Sequence, residues 1–246
     1  MVLAMPPSST PRASRVAWLL VALGVFSGGV LTYEVATWPD VGAVRHQNPR
    51  TTAFIEREKA KARREGKPEK VAWTWVPYSA ISANLKCAVL VGEDIGFFSH
   101  HGFETYEIGE SLREAWDERE LPRGASTLTQ QVAKNLWLSP SRNPLRKAKE
   151  AILTWQLERH LGKRRILEIY LNVAEFGPGI YGAEAASRRF FGLPAAALDE
   201  RQAAELAAGL PRPSSWHPGV LTPGYRRRVA SLERKMDVAS WLRRLI

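Results

Sequence analysis

Hydrophobic residues form one long apolar segment near the N-terminus and, further along the chain, a series of helical patterns. The apolar segment spans residues 16–33, which are eighteen residues without a charge. A helix of that length would be about 27 Å long, close to the hydrocarbon thickness of a bilayer. Arg12 and Arg15 precede the segment, and the first acidic residue is Glu34. The positive-inside rule therefore predicts that residues 1–15 lie in the cytoplasm and that the chain after the span lies across the membrane.

Two other interpretations of this segment fit less well. A cleaved signal peptide usually has a shorter apolar region that ends in a small-x-small cleavage site, and no Ala-x-Ala lies at the end of the apolar segment after Val30. A buried core helix would need partner segments, and none lies near it in the sequence. The segment is therefore predicted to be an uncleaved membrane anchor.

The remainder of the chain is predicted to be mostly α-helical. Asn143 and Pro144 are a typical helix start, with a capping side chain followed by proline at the first helical position. Apolar residues then follow at helical spacing, as Leu145, Ala148, Ile152, Leu153, Leu157 and Leu161. Further helices are predicted over 163–172 and, capped by Asp199, up to Gly209. The sequence shows neither a convincing period-two alternation nor an internal repeat.

Composition narrows the classes of partner. The chain has 246 residues, of which 35 are Lys or Arg and 25 are Asp or Glu, so its net charge is +10. An apolar content of 45% allows a hydrophobic core and excludes wholesale disorder. The single cysteine, Cys87, excludes an intramolecular disulfide and a multi-cysteine metal centre. The positive charge suggests an acidic partner: nucleic acid, anionic lipid headgroups or a phosphorylated substrate. Residues 123–165 alone carry ten basic and two acidic side chains.

Two patterns suggest functions that the rest of the chain does not support. Gly177, Gly179 and Gly182 match the G-x-G-x-x-G of dinucleotide-binding folds, but they follow a helical pattern and enclose Pro178. A turn between helices is expected there instead. The basic run at 226–228 lacks a recognisable nucleic-acid-binding module. We expect this run to form a solvated or headgroup-facing surface.

Residues 91–102 place two adjacent carboxylates, Glu93 and Asp94, among aromatic residues and histidines. Apolar surroundings raise the pKa of a carboxyl group, which makes a glutamate usable as a base or an acid near neutral pH. The alternative is a structural Glu-Asp pair at a helix end, and spacing alone does not distinguish the two interpretations.

Two further stretches suit a sugar phosphate. Residues 123–136 are rich in hydroxyl and amide side chains, which bond sugar oxygens, and contain Lys134, which can bind a phosphate. A capped polar helix is the alternative. After Pro144, Glu150 lies among basic residues. It could simply pair with Arg146, a contact worth a few tenths of a kcal/mol, or be a second catalytic carboxylate that its neighbours keep charged.

With these residues, the sequence resembles the peptidoglycan glycosyltransferases of family 51 over roughly residues 48–218. Five motifs of that family occur in order. They are E-D-x-x-F-x-x-H-x-G at 93–102, R-G-x-S-T-x-T-Q-Q-x-x-K-N at 123–135, R-K-x-x-E at 146–150, K-x-x-I-L-E-x-Y-L-N at 163–172 and a G-x-x-x-A…F-F-G type at 182–192. Monofunctional members look most similar, because residues 48–54 resemble the segment that leads into their catalytic domain. The sequence also contains no S-x-x-K, and the 34 residues after Arg212 are too few for a transpeptidase domain.

The resemblance implies a mostly α, lysozyme-like domain preceded by a single N-terminal transmembrane helix. It also implies a membrane-facing small lobe and a mobile flap at about residues 103–122. The implied activity is polymerisation of lipid II. The growing lipid-linked glycan is transferred to the 4-hydroxyl of lipid II, a β-1,4 bond forms with inversion, and undecaprenyl diphosphate leaves.

The resemblance also implies roles for single residues. Glu93 matches the base of the family and Glu150 its second essential carboxylate. The positions that match substrate contacts are Lys134 and Arg142 at the donor phosphates, Ser126, Gln130 and Gln131 along the donor cleft, and, as lesser candidates, Asp94, Arg146, Lys147 and Lys149. No cofactor is expected to be required. Stimulation by a divalent cation, Mg²⁺ or Mn²⁺, is left open, because the sequence offers no dedicated metal cage.

The resemblance further implies partners and a location. The partners are lipid II, the lipid-linked glycan chain, membrane lipid and other cell-wall synthesis or division proteins, but no nucleic acid. The location is the inner membrane, with a single pass, a cytoplasmic N-terminus and a periplasmic catalytic domain. We expect a cytoplasmic tail at 1–15, an anchor at 16–34, a connector and membrane-proximal segment at 35–78, a catalytic domain at 79–225 and a basic C-terminal helix at 226–246.

Two other classes of protein are weighed against this one. A lytic enzyme of the same helical fold would cleave glycan with one general acid and would not need Lys134, Arg142 and the basic cluster around them. A non-catalytic scaffold would have no need of both Glu93 and Glu150, which are present.

Overall fold

The chain divides into two units, Met1–Asp40 and Val41–Ile246. The structure, a computed structural model, describes residues 11–103, 126–141 and 143–246, with side chains from residue 16 onward. Nearly all of the expected flap, and Arg142, lie outside the described residues.

The described part of the first unit is a helix, α1 (Pro11–Ala36). Within it, Val16–Ala36 is 21 residues long, with a mean hydropathy of 1.9. This stretch is long and apolar enough to cross a bilayer, and it contains the predicted anchor. The first unit is consistent with a single-pass membrane anchor.

The second unit is mostly α-helical, as the sequence predicted. Its described helices are α2 (Ala53–Arg64), α3 (Ala83–Glu93), α4 (Leu128–Trp137), α5 (Pro144–His160), α6 (Lys163–Val173), α7 (Ala183–Phe191), α8 (Glu200–Gly209) and α9 (Pro223–Val238). The helices predicted from Pro144, over 163–172 and after Asp199 are confirmed as α5, α6 and α8. The chain before α2 also contributes to the core of this unit, since Val41 and Val44 are buried.

Helix α3 lies in the core, and most of its residues are apolar. The Oγ of Ser82 accepts a hydrogen bond from the N–H of Leu85 and caps its start, and every residue from Leu85 to Val91 is buried. Helices α8 and α9 pack against α3. Buried alanines on α8 allow the close approach of α3, because they present little side-chain volume. The end of α3 is therefore fixed from two sides.

Helix α4 packs against α5 and α6. Its start is set by a capping box, in which Thr127 accepts from the N–H of Gln130 and the side chain of Gln130 accepts from the N–H of Thr127. Two sides of α4 are thus used for packing, and its polar residues Gln131 and Lys134 are half-buried rather than enclosed.

A small sheet is present that the sequence pattern did not indicate. Strands β1 (Ala72–Trp73), β2 (Glu175–Gly177) and β3 (Ile180–Tyr181) lie in the order β1-β3-β2. Strand β3 is parallel to β1, with Ala72 opposite Ile180, and antiparallel to β2. Strands of two or three residues are too short to show the alternation on which a sequence prediction depends.

The glycines that match G-x-G-x-x-G lie in and beside this sheet, so the dinucleotide interpretation is excluded. Gly177 ends β2, and Gly179, with φ +70°, forms the turn into β3. Gly182, with φ +82°, links β3 to α7, and a Cβ there would lie 2.7 Å from the carbonyl oxygen of Asn172. The expected turn is confirmed, but it joins two strands and not two helices.

The apolar stripe predicted on α5 divides between two faces. Leu153 and Leu157 are fully buried, whereas Leu145 and Ile152 are exposed. Trp155 is exposed as well. Helix α5 therefore presents apolar side chains both to the core and to its outer surface.

Candidate active site

Glu93, the last residue of α3, is held by two helices at once. The Nε2 of Gln131 on α4 donates to its Oε2 at 3.1 Å, and the Nη2 of Arg228 on α9 donates to its Oε1 at 3.1 Å. Burial raises the pKa of Glu93, and Gln131, Arg228 and Lys134 oppose that rise. A carboxylate in a fixed position with a raised pKa has the properties of a general base that works near neutral pH.

Gln131 is itself oriented by Tyr170. The hydroxyl of Tyr170 donates to the Oε1 of Gln131 at 3.3 Å, so the Nε2 of the same amide points at Glu93. Burial raises the pKa of Tyr170 well above its usual value, which keeps this hydroxyl a donor at every physiological pH. The arrangement fixes both the position and the amide orientation of Gln131.

Lys134 interacts electrostatically with both candidate catalytic carboxylates. It is one helical turn after Gln131 and therefore shares its face of α4. Burial lowers the pKa of Lys134, while attraction to Glu150 and to Glu93 opposes that change. An ammonium group is thus within electrostatic reach of both carboxylates.

Glu150 is buried on α5 and pairs with two cations of its own helix. Arg146 and Lys147 both donate to its carboxylate. Removing one partner from a buried charge is costly, because the remaining charge has lost its solvation by water. Breaking the ion pair between Glu150 and Arg146 therefore costs more stability than breaking the exposed i,i+4 pair that the sequence suggested.

Asp94 turns away from Glu93 and joins two motifs. Its carboxylate contacts the Nε2 of His100 at 2.9 Å and accepts from the N–H of Leu128 at 2.9 Å. It is buried. Both oxygens of Asp94 are engaged by the protein, as those of Glu93 are, but only 1% of the Asp94 side chain is exposed, compared with 13% for Glu93, so the described structure gives Asp94 a structural role.

The motifs therefore converge on one row of polar groups: Arg228, Glu93, Gln131, Lys134 and Glu150. Comparison with known proteins identifies the family of the chain. Residues 58–237 match the model of a family described as transglycosylase. The chain belongs to the transglycosylase family.

Relatives named biosynthetic peptidoglycan transglycosylase support the same assignment. The protein of Azoarcus sp. (strain BH72) is 46% identical over 200 residues, 81% of this chain and 86% of that protein. The protein of Bordetella avium is 42% identical over 84% of this chain and 88% of its own length. The protein of Thiobacillus denitrificans is 41% identical over 90% of this chain and 97% of its own length. This transglycosylase is a peptidoglycan glycosyltransferase that acts in cell-wall biosynthesis, and its class is the mostly α, lysozyme-like one that the sequence predicted.

The remaining residues predicted for the site take several positions in the transglycosylase. Gln130 is buried and occupied by the capping box of α4. Ser126 is half-buried just before that cap, and its carbonyl oxygen accepts from Gln131 at 3.5 Å. Lys149 is half-buried on α5, and Arg142 lies outside the described residues. Among the described residues of the transglycosylase, no group of three or more His, Cys, Asp and Glu side chains could hold a metal ion.

Arg228 is the site residue that sequence reasoning missed. The run at 226–228 was expected to form a solvated or headgroup-facing surface, and this is wrong for Arg228, which bonds to Glu93. Arg226 and Arg227 are exposed, as expected. The missed signal is helical spacing, because Arg228 falls three residues after Tyr225 and four before Leu232, and both of these are buried.

Proposed function

We propose that the protein polymerises glycan chains by transferring the growing lipid-linked glycan to the 4-hydroxyl of lipid II. A β-1,4 bond forms with inversion, and undecaprenyl diphosphate is released. The observation that carries the proposal is a half-buried cation, Lys134, which follows Gln131 by one turn of α4 and interacts electrostatically with the carboxylates of both Glu93 and Glu150. A reaction that deprotonates a hydroxyl and expels a pyrophosphate needs a base and a cation near each other.

Glu93 acts as the base in this proposal. A sugar hydroxyl is a weak nucleophile, so its proton is transferred to Glu93 while its oxygen attacks the anomeric carbon of the donor. The bond from that carbon to the pyrophosphate breaks on the opposite face, which inverts the configuration. The bonds from Gln131 and Arg228 keep the carboxylate in one orientation for this transfer.

Lys134 acts on the leaving group. Negative charge develops on the pyrophosphate as the bond breaks, and a fixed cation at that position lowers the barrier. Glu150 attracts Lys134 and has Arg146 and Lys147 bound to it. It orients this set of cations, and Arg142 adds a further phosphate contact.

A required cofactor is not part of the proposal. A divalent cation that stimulates the reaction would take ligands from the substrate pyrophosphate, since the described residues hold no cluster of three or more metal-binding side chains. It would supply positive charge on the leaving phosphates.

The anchor is proposed to cross the inner membrane once, with the N-terminus in the cytoplasm and the catalytic domain in the periplasm. The basis is the pair Arg12 and Arg15 before the apolar span. In that orientation the catalytic domain is on the side of the membrane where cell-wall precursors are polymerised and where partner proteins of synthesis and division act. The sequence contains no S-x-x-K, so the proposed activity does not include transpeptidation.

The experiment is to supply the purified full chain in detergent with radiolabelled lipid II and, separately, with finished murein. We expect uncross-linked glycan polymer from lipid II and no soluble sugar from murein. Release of soluble sugar from murein without polymer from lipid II would overturn the proposal in favour of the lytic interpretation. Polymer formation by the Lys134→Met variant at the rate of the unmodified protein would contradict the role of Lys134 on which the proposal depends.

A further inference from the structure

Helix α9 carries a cation where its helical pattern calls for an apolar residue. Tyr225, Leu232 and Met236 are its buried residues, and their spacing of seven and four places them on one face. Arg228 lies on this same face, with 30% of its side chain exposed. An arginine on the packed face of a helix loses part of its hydration, so it persists there only with a partner.

Helix α9 approaches α3 closely at a glycine. A Cβ at Gly92 would lie 3.2 Å from the Cδ2 of Leu232 and 4.0 Å from the Nη2 of Arg228. The first of these distances is tight, so a larger residue at position 92 would require the side chain of Leu232 to shift by a few tenths of an ångström. The absence of a side chain at Gly92 is thus compatible with the close approach of Leu232 and Arg228 to the end of α3.

The guanidinium of Arg228 binds the end of α3 in two places. Its Nη2 donates to the carbonyl oxygen of Gly92 at 3.2 Å and to the Oε1 of Glu93 at 3.1 Å. A cation at a helix C-terminus is favoured by the partial negative charge of the last carbonyl groups. The backbone contact fixes the guanidinium, and the side-chain contact fixes the carboxylate.

We propose that Arg228 is a positioning residue for Glu93, which holds the carboxylate in one orientation and favours its charged, proton-accepting form. The inference rests on the proposed function only in taking Glu93 as the base. With Gln131 on Oε2 and Arg228 on Oε1, rotation of the carboxylate breaks a hydrogen bond on each side. Arg228 is the charged half of this clamp and Gln131 the neutral half.

The other polar and charged groups near Glu93 do not replace the contact that Arg228 makes, so removing Arg228 should change the pKa of Glu93. Helix α4 presents Lys134, which also attracts the carboxylate, and α6 presents the neutral hydroxyl of Tyr170. Asp94, next in the chain, is engaged by His100. The charged residues of α8, which packs against α3, pair elsewhere: Arg201 with Glu205 and Glu200 with Arg243.

The sign of the effect follows from which form Arg228 stabilises. A cation beside a carboxylate favours the charged form, so removing Arg228 raises the pKa of Glu93. The base is then protonated up to a higher pH, and the acidic limb of the pH profile moves upward. We expect a shift of about one pH unit, the lower end of what an adjacent cation causes.

The test uses Arg228→Gln and Arg228→Lys in the full chain, with Arg227→Gln as the matched control on the exposed face of the same helix. The first readout is ¹³C NMR titration of labelled glutamate carboxyl groups, with the Glu93 signal assigned by its loss in Glu93→Gln. The second is kcat and KM for lipid II as a function of pH. The first readout needs no activity, so failure of the proposed function and failure of this inference are distinguishable.

We expect Arg228→Gln to raise the titration midpoint of Glu93 by about one unit, with kcat on the acidic limb of the profile falling by up to roughly tenfold and recovering at higher pH. Arg228→Lys should retain most of the unmodified midpoint, and Arg227→Gln all of it. An unchanged Glu93 midpoint in Arg228→Gln would overturn the inference. A rise in KM with an unchanged kcat profile would overturn it as well, since that result is the signature of a substrate contact.

Discussion

The Oδ2 of Asp94 accepts a hydrogen bond of 2.9 Å from the backbone N–H of Leu128. Leu128 is the first residue of α4, and Asp94 directly follows the last residue of α3. A carboxylate at a helix N-terminus satisfies a free N–H and interacts favourably with the helix dipole. The contact therefore sets the distance between the helix that ends in Glu93 and the helix that carries Gln131 and Lys134.

Asp94→Asn is expected to lower the free energy of unfolding. The variant replaces the carboxylate that bonds to His100 and Leu128 with a neutral amide. Hydrogen bonds to a buried charged group contribute about 1.5–3 kcal/mol, so we expect a loss of about 1–3 kcal/mol in the free energy of unfolding. Chemical denaturation of the full chain in detergent measures it. Asp237→Asn, on the exposed surface of α9, is the control, and an equal loss in both variants would contradict the structural role of Asp94.

The sequence predicted the helices of the site better than the partners of each side chain. Asn143, Pro144 and Asp199 mark helix starts through local chemistry, so α5 and α8 could be predicted from neighbouring residues alone. The pairing of Glu93 with Arg228 joins residues 135 positions apart, and no local pattern shows which helices meet. Asp94 illustrates the same limit, because its spacing next to Glu93 suggested the site and only the fold shows that its oxygens are occupied. Strands β1, β2 and β3 were missed since they are stabilised by their neighbours and not by their own pattern.

Lys134→Met is expected to reduce kcat with lipid II by roughly 10²–10³-fold, the usual effect of removing one group that stabilises transition-state charge. The methionine side chain keeps most of the volume and removes the ammonium that attracts both Glu93 and Glu150. Steady-state polymerisation kinetics provide the measurement. Lys61→Met, at an exposed position of α2, serves as control. A change confined to KM would mean that Lys134 binds substrate and transition state equally well.

The pH profile of kcat/KM should be bell-shaped and narrower than unperturbed groups would give. Glu93 must be deprotonated to act, and burial raises its pKa above the ordinary 4.5, so the acidic limb moves to higher pH. Lys134 must be protonated, and burial lowers its pKa below the ordinary 10.5, so the basic limb moves to lower pH. Polymerisation rates measured from below pH 4.5 to above pH 10.5 would test this, and limbs at these ordinary values of the two groups would contradict both assignments.

Tyr170→Phe should reduce kcat about three- to tenfold, because the Oε1 of Gln131 loses a donor and its amide is free to flip away from Glu93. A neutral hydrogen bond contributes about 1 kcal/mol. Tyr225→Phe is the matched control, since it also removes a buried hydroxyl, one that donates to the carbonyl oxygen of Glu205 at 2.8 Å. Comparable rates for the two variants would show that the bond between Tyr170 and Gln131 does not orient the base.

The most direct measurement is single-turnover polymerisation of lipid II by Glu93→Gln, with Glu175→Gln as the matched control. Glu175 is another glutamate whose pKa burial raises, but it contacts Gly179 in the small sheet and not the row of polar groups at the end of α3. A general base typically contributes 10²–10⁴-fold. We expect a loss of that order in Glu93→Gln, with an unchanged unfolding transition, and nearly full activity in Glu175→Gln. Polymer formed by Glu93→Gln at the rate of the unmodified protein would contradict the role of Glu93 as the base.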